Sequence, residues 1–259
     1  MLVDAGKIKV IKVPRVLSVE TVDKFHEELG SLVNKQPTLV ELDCSQIDLV
    51  TSSHINLLWE ARTLCLENNL NVKLSFVSPG LIRVLKVLDL HDIFLGKQPE
   101  PKMDPLNDNM DNRVKDDREL KLEFRAETGA ITRCLADFRL FLSRFNLPMK
   151  FVIELEIIFY EVATNIRLHS GLGTGDVIVF DAASHDDKIT MIFTDRGKAF
   201  DPTLKGTEYE PGKAIREKKK RGFGLTMIFR MTDRIIYRRL EDSINVLTLE
   251  KNWRLHHGK

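Results

Sequence analysis

The sequence predicts an α/β protein with two domains. Its 259 residues exceed the length of one average domain. Residues 7–96 alternate short strands with helices, a pattern typical of a sheet covered by helices. The apolar content then falls over residues 98–117, which include three prolines and several aspartates. We interpret this segment as a linker between a first domain at residues 1–97 and a second domain at residues 118–259.

In the first domain, three short strands are each followed by a helix. The strands are expected at residues 7–13, 38–42 and 72–76. Each helix begins after residues that favour a helix N-terminus, which are Ser18, the cluster Thr51-Ser52-Ser53, and Ser78 before Pro79.

The second domain begins with a strand at residues 120–126, which two helices follow. The first helix is expected at residues 128–145, and the second continues from the apolar run 151–160 through His169. Further strands are expected at residues 176–180, 189–193, 234–238 and 244–249, with a short helix at 224–231. No repeat relates the two domains.

The overall composition excludes few functions. Lys and Arg number 39 against 38 Asp and Glu, so the net charge of +1 does not call for nucleic acid or an anionic membrane as a partner. No apolar run is long enough for a signal sequence or a membrane span, and we expect a cytoplasmic protein. The three cysteines, Cys44, Cys65 and Cys134, lack paired metal spacing and are expected to be reduced and buried.

Three polar residues recur every fourth position on the second helix of the second domain. Glu161, Asn165 and His169 should share one face, while four apolar residues should face the core on the opposite side: Leu155, Ile158, Val162 and Ile166. A carboxylate can orient an attacking hydroxyl or take its proton, and an amide oxygen is a hard ligand that Mg²⁺ accepts. The spacing alone also fits a solvated polar face.

Two later segments suggest a nucleotide site. Asp195 and Gly197 follow a strand, where a carboxylate could accept from the exocyclic amine of adenine and a glycine permits close approach to the base. In the segment 221–225, Gly222 and Gly224 precede a helix, which could form a phosphate cradle. Each motif alone is more often a turn or a loop.

Together, the order and spacing of these motifs resemble those of the GHKL ATPases, which include histidine-kinase catalytic domains and gyrase. Within this group, residues 120–251 look most like the anti-sigma-factor serine kinases. The resemblance implies a Bergerat-type α/β sandwich that binds ATP and Mg²⁺. It implies that Glu161 is the general base or hydroxyl-orienting group and that Asn165 is the magnesium ligand.

The same resemblance assigns the remaining site residues. Asp195, with Gly197 beside it, would bind adenine, and Gly222 and Gly224 would hold the phosphates. Residues 205–221 would be an ATP lid, from which Arg221 is our candidate for reaching the terminal phosphate. The lysines near Arg221 could equally be a solvated charge cluster. Ala199 stands where the family usually has glycine, and His169 is expected to pack or cap the helix end.

The first domain resembles STAS domains, the fold of anti-sigma-factor antagonists, over residues 7–95. The resemblance rests on residues 42–45 and 47–53 before a helix. In antagonists this junction reads Asp-Ser-Ser-Gly and its second serine is phosphorylated. Here Thr51 and His54 replace the Asp and the Gly, and Ser53 is the candidate phosphosite. Ser53 could equally be a helix cap, and His54 is expected to add bulk to the partner-facing surface.

The two resemblances predict a cytoplasmic regulator of bacterial type. It would phosphorylate a serine on a STAS-domain antagonist or on itself, sequester a sigma factor, or do both, without contacting nucleic acid or a membrane. The alternative is a non-catalytic ATP-binding scaffold. A histidine kinase is less favoured because no dimerising hairpin with an acceptor histidine is visible. A homodimer is implied by the resemblance alone.

Overall fold

The computed structural model describes residues 8–35, 37–96, 118–204 and 223–253. The chain divides into two compact units, the first with the described residues up to 96 and the second with nearly all of those from 118 onward. One unit contains a parallel sheet and the other an antiparallel sheet, which confirms the predicted α/β class. The interpretation of residues 98–117 as a linker concerns a segment outside the described residues.

The first unit is a three-stranded parallel sheet with four helices. The strands lie in the order β1-β2-β3. The elements along the chain are β1 (Ile8–Lys12), α1 (Val19–Asn34), β2 (Leu39–Asp43), α2 (Ser52–Glu67), β3 (Asn71–Ser75), α3 (Pro79–Val87) and α4 (His91–Leu95). The alternation of strands and helices was predicted, whereas α4 was not.

Side-chain caps explain where α1 and α3 begin. Ser18 and Thr21 form a reciprocal capping box at α1. Ser78 accepts a hydrogen bond from the backbone N–H of Leu81, and Pro79 occupies the first turn of α3. Both starts were predicted from these residue types.

The cap of α2 is Thr51, and the alternative that Ser53 caps this helix is wrong. Thr51 Oγ1 accepts from the backbone N–H of His54 at 3.4 Å, and the backbone N–H of Thr51 donates to His54 Nδ1 at 3.3 Å. Because the capping pair is three residues apart, Ser53 falls in the first helical turn instead, where its side chain is exposed.

The ring of His54 points into the unit and not toward the surface, contrary to our expectation. The residue is only 3% exposed. Because Nδ1 accepts from Thr51, the ring proton lies on Nε2, which donates to the carbonyl oxygen of Pro14 at 3.3 Å. Burial lowers the pKa of His54, although hydrogen bonds to Pro14 and Arg15 oppose this effect. His54 therefore ties the start of α2 to the loop after β1 as a neutral ring.

The third strand has the predicted length but begins and ends one residue earlier than predicted. It ends at Ser75, and Phe76 has a φ of 51° and a side chain that is 72% exposed. Left-handed backbone is uncommon for a bulky residue. The alternating pattern extended through Phe76 because an apolar residue at that spacing looks like the next inward position.

The second unit places its helices against a five-stranded antiparallel sheet of order β4-β5-β6-β8-β7. Along the chain the elements are β4 (Glu119–Arg125), α5 (Thr128–Leu142), α6 (Met149–His169), β5 (Val177–Ser184), β6 (Lys188–Asp195), α7 (Phe223–Met231), β7 (Arg234–Arg239) and β8 (Asn245–Asn252). All were predicted, although α5 ends three residues early, β4 begins and ends one residue early, and the other four strands are longer than expected.

An aromatic cluster fixes α5 and α6 on this sheet. Phe159 of α6 lies 4.8 Å from Phe180 of β5 between ring centroids, and Phe180 lies 4.8 Å from Phe193 of β6. Phe138 of α5 completes the group at 5.0 Å from Phe180. All four residues are fully buried. Edge-to-face and tilted pairs of this kind stabilise a core beyond the burial of their area.

A buried ion pair links three elements of the second unit. Lys251 Nζ of β8 lies 2.6 Å from a carboxylate oxygen of Glu154 in α6, and both side chains are 4% exposed. The same ammonium group donates to the carbonyl oxygen of Met231, the last residue of α7, at 2.6 Å. The pair therefore joins α6 and the end of α7 to β8, which lies between β6 and β7 in the sheet.

All three cysteines are free and buried, as expected. Burial, with a smaller contribution from the charge of Asp43, raises the pKa of Cys44 to about 12. These thiols therefore resist ionisation, consistent with the role of small hydrophobes.

Within the ranges that the structure describes, every helix is too short or too polar to cross a membrane.

We expect Lys251→Met to destabilise the second unit by about 3–5 kcal/mol, because it leaves the Glu154 carboxylate buried without its ammonium partner. The double variant Lys251→Met/Glu154→Leu should recover most of this loss. Denaturant unfolding of the full chain measures both. A double variant no more stable than Lys251→Met alone would contradict a dominant role for the uncompensated charge.

Acidification should destabilise the first unit through His54. Its pKa in the folded protein is below the ordinary value, so below about pH 6.5 the unfolded chain binds the proton more readily and folding stability falls. The free energy of unfolding of wild type and of His54→Gln is compared between pH 8 and pH 5. The difference isolates the contribution of His54, since glutamine does not titrate in this range. If the unfolding free energies of the two proteins fall in parallel with pH, His54 is not the cause of the loss of stability.

Candidate functional site

The C-terminal end of α6 packs directly against the loop that follows β6. After α6 ends, Gly171 adopts a φ of 72° and reverses the chain. The backbone N–H of Lys198 donates to the carbonyl oxygen of Ser170 at 2.6 Å. A Cβ atom built at Gly197 would lie 2.3 Å from Ser170 Cβ and 2.7 Å from its carbonyl oxygen. Glycine is therefore needed at position 197 for this approach, quite apart from any ligand.

Asp195 ends β6 with a largely buried carboxylate, 6% exposed. Its Oδ1 accepts from the backbone N–H of Gly197 at 2.7 Å and from Asn245 Nδ2 at 2.9 Å. Asp195 and Asn245 are opposite each other in the β6–β8 register. The carboxylate is thus held from two sides, by its own loop and by the neighbouring strand.

Asn245 is a site residue that the sequence reasoning missed. Its Oδ1 accepts from Tyr237 Oη at 2.7 Å and from Arg239 Nη1 at 2.6 Å. Its Nδ2 also lies within 3.3 Å of the carbonyl oxygens of Gly197 and Lys198. In the sequence, Asn245 could be noticed only as a single carboxamide at the start of an apolar strand. Its partners are up to 50 residues away, and only the strand register shows that they are in contact.

One pocket brings α6, the β6 loop and the last two strands together. Six polar residues contribute to its lining: Asn165, Ser170, Asp195, Lys198, Tyr237 and Asn245. The other lining residues are apolar: Val162, Ile166, Phe200, Pro202, Leu225, Ile228 and Leu247. An apolar pocket with a few convergent polar groups is the usual form of a small-molecule site.

Asn165, the predicted magnesium ligand, has a buried amide nitrogen without a hydrogen-bond partner in the described part of the chain. A buried donor left unpaired costs about 1–3 kcal/mol, which a ligand acceptor would recover. Two residues expected on the opposite, core-facing side, Val162 and Ile166, line the same pocket. Val162 is buried as expected for a core-facing residue, but because these two residues line the pocket with Asn165, the polar and apolar faces of the helix adjoin here and are not opposite.

Glu161, the predicted base, lies one helical turn before Asn165 and is only 4% exposed. It is not among the described residues that line the pocket. His169 lies at the exposed end of α6 with its ring centroid 6.3 Å from that of Phe200, a position that suits the expected packing role.

The phosphate-binding segment is described only in part. Gly224 is the second residue of α7, and Leu225 and Ile228 of the same helix line the pocket. Arg221, Gly222 and the predicted lid at residues 205–221 lie outside the described residues. Among those described, no group of three or more His, Cys, Asp or Glu side chains could hold a metal ion.

Ser53, the predicted phosphosite, belongs to the first unit. It is exposed in the first turn of α2. This position places Ser53 at the N-terminal turn of a helix, where the helix dipole favours a negative charge.

Comparison with known proteins identifies both halves of the chain. Residues 124–251 match the family described as histidine kinase-like ATPase domain, and residues 3–97 match the family described as Mlab, STAS domain. No protein of curated function matches the chain in sequence.

Two solved structures show limited similarity. The SiaB-SiaC complex from Pseudomonas aeruginosa aligns at 15% identity and a TM-score of 0.42, covering 51% of this chain and 89% of that chain. The RsbU and RsbW domains of a Mycobacterium tuberculosis protein align at 15% identity and a TM-score of 0.36, covering 52% of this chain and 32% of that chain. The two family matches confirm the resemblances noted from the motifs: the chain joins a STAS domain to a histidine kinase-like ATPase domain.

Proposed function

We propose that this protein is a Mg²⁺-ATP-dependent serine kinase of a partner-switching system, with a STAS domain as its acceptor. A histidine kinase-like ATPase domain implies ATP binding. The observation that carries the proposal is the pocket in this domain, which is lined by both Asn165, whose amide nitrogen is unpaired among the described residues, and the anchored carboxylate of Asp195.

The adenine end of the pocket is assigned to Asp195. Its second carboxylate oxygen, Oδ2, accepts no hydrogen bond from the described residues, so it could accept from an exocyclic amine. Apolar side chains such as Ile166 and Leu247 would pack against a purine ring.

The phosphate end is assigned to Asn165 and to the start of α7. Mg²⁺ is usually held by one or two protein oxygens together with substrate phosphates and water, so a cluster of carboxylates is not required. The Asn165 amide oxygen suits this role, with Arg221, Gly222 and Gly224 assigned to the phosphates by family resemblance. When bound, the ion neutralises charge that develops on the phosphates.

Glu161 is proposed to orient the acceptor serine and to take its proton. The serine oxygen would bond to the γ-phosphorus, the bond to the β-phosphate oxygen would break, and ADP would leave. The buried carboxylate of Glu161 lies one turn from Asn165 on a helix held by the aromatic cluster. Hydrogen bonds to a catalytic base are often long in the free enzyme and tighten when the substrate binds.

Ser53 is the proposed acceptor within this chain, and an equivalent serine on a separate STAS antagonist is the proposed acceptor in a partner. The exposed hydroxyl of Ser53, which takes no part in capping α2, supports this assignment. A phosphate there would gain from the helix N-terminus. Sigma-factor binding and a homodimer remain expectations from the family resemblance.

A second candidate function is a non-catalytic nucleotide-binding scaffold. It is favoured by the position of Glu161 outside the described lining of the pocket and by Thr51 and His54 in place of the family Asp and Gly. Phosphotransfer distinguishes the two functions.

Calorimetric titration with ATP tests the site. We expect wild type to bind ATP more tightly with Mg²⁺ than without it, and Asn165→Ala to lose about tenfold or more of the Mg²⁺-dependent affinity. Leu168→Ala, at an exposed position on the same helix, is the matched control and should bind as wild type does. Folded wild-type protein that binds no ATP would refute the proposal, and an unchanged Mg²⁺ dependence in Asn165→Ala would remove this residue as the ligand.

Incubation of the full chain with Mg²⁺ and ATP, followed by mass spectrometry, tests the acceptor and the base. We expect phosphate on Ser53, none in Ser53→Ala, and continued labelling in the neighbouring control Ser52→Ala. Glu161→Gln should retain ATP affinity while the transfer rate falls by about 10²–10⁴-fold.

The scaffold function would be supported by ATP binding without phosphotransfer to Ser53 or to a serine of any STAS partner. Phosphotransfer at the wild-type rate in Glu161→Gln would be compatible with the kinase function but would show that another group accepts the proton.

A further inference from the structure

One oxygen of the Asp195 carboxylate is fully used inside the protein. Oδ1 accepts two hydrogen bonds, from the backbone N–H of Gly197 and from Asn245 Nδ2, at 2.7 and 2.9 Å. Two is about the number of donors that one carboxylate oxygen accepts. A ligand in the pocket is left with Oδ2 as its acceptor on this side chain.

The surroundings of Asn245 determine which end of its amide meets Asp195. The amide oxygen faces two donors, the hydroxyl of Tyr237 and the guanidinium of Arg239. A reversed amide would place its NH₂ group against both donors and its oxygen against the Asp195 carboxylate. Because Asn245 is only 4% exposed, water cannot readily compensate for such losses. Tyr237 and Arg239 therefore hold the NH₂ group on Asp195.

The number of acceptors matters because purine bases differ in their donors. Adenine presents one amine beside a ring nitrogen that accepts. Guanine presents a ring N–H and an amine on adjacent atoms, a pair that matches both oxygens of a carboxylate. With Oδ1 saturated, guanine cannot pair its two donors with the two oxygens of Asp195, and both donors would have to share Oδ2 in a bent geometry, whereas the single amine of adenine takes Oδ2 alone.

We infer that Asn245 is a positioning residue for base selectivity: held by Tyr237 and Arg239, it limits Asp195 to one free acceptor oxygen and so favours adenine over guanine nucleotides. The inference rests on the proposed nucleotide function of the pocket. It adds the residues that decide which base the carboxylate accepts.

Asn245 also contacts the carbonyl oxygens of Gly197 and Lys198, so it supports the loop as well. A purely structural role predicts that removing it weakens all nucleotides alike. A role in selectivity predicts a change in the ratio of the affinities for two bases. The ratio therefore separates the two roles.

The test is calorimetric titration of the full chain with ATP, GTP and purine riboside triphosphate, which lacks the exocyclic amine. Wild type should prefer ATP to both others. Asn245→Ala should reduce the ATP-to-GTP affinity ratio by about tenfold, because Oδ1 regains an acceptor site. Tyr237→Phe, which removes one of the two donors that orient the amide, should shift the ratio less and in the same direction.

Thr248→Ala is the matched control, since Thr248 lies on β8 but points to the opposite face of the sheet from Asn245 and should leave the ratio unchanged. Thermal unfolding checks that each variant is folded, and Tyr237→Phe provides the ratio if Asn245→Ala does not fold. Wild type that binds ATP and GTP equally, or variants that weaken both by the same factor, would overturn the inference while the proposed function stands. Wild type that binds none of the three would overturn both.

Discussion

The close contact between the β6 loop and the end of α6 is the constraint on which the pocket depends. Gly197 lies so near Ser170 that no side chain fits between them, and Lys198 donates to the same carbonyl group. Asn165 lies on the helix, and Asp195 is the last residue of β6 before the loop. Since both positions are set by this contact, any larger residue at position 197 would displace one wall of the pocket from the other.

Several buried polar groups in the second unit join one secondary-structure element to another. Lys251 and Glu154 join β8 to α6, and Asn245 joins β8 to the loop after β6. Such groups are costly to bury unless they are paired, and here each pairing fixes one geometry. The aromatic cluster provides the non-directional stabilisation, whereas the polar contacts determine where the site residues stand.

In the first unit, the position of Ser53, the candidate acceptor, is set by the capping of α2. Thr51 and His54 form reciprocal hydrogen bonds at the start of α2. The His54 ring is buried against the loop that contains Pro14. Ser53 is consequently left with an exposed hydroxyl. Thr51 and His54, which differ from the antagonist motif, therefore cap α2 themselves and leave Ser53 exposed.

The sequence by itself determined the alternation of strands and helices, the starts of α1 and α3, and the four-residue spacing of Glu161 and Asn165, because these depend on local periodicity and capping. Only the tertiary structure decided that Thr51 caps α2, that Asn245 anchors Asp195, and why position 197 must be glycine. Two similar capping residues near a helix start cannot be ranked from local pattern, and contacts across 50 residues depend on strand register and close packing, which composition and spacing do not encode.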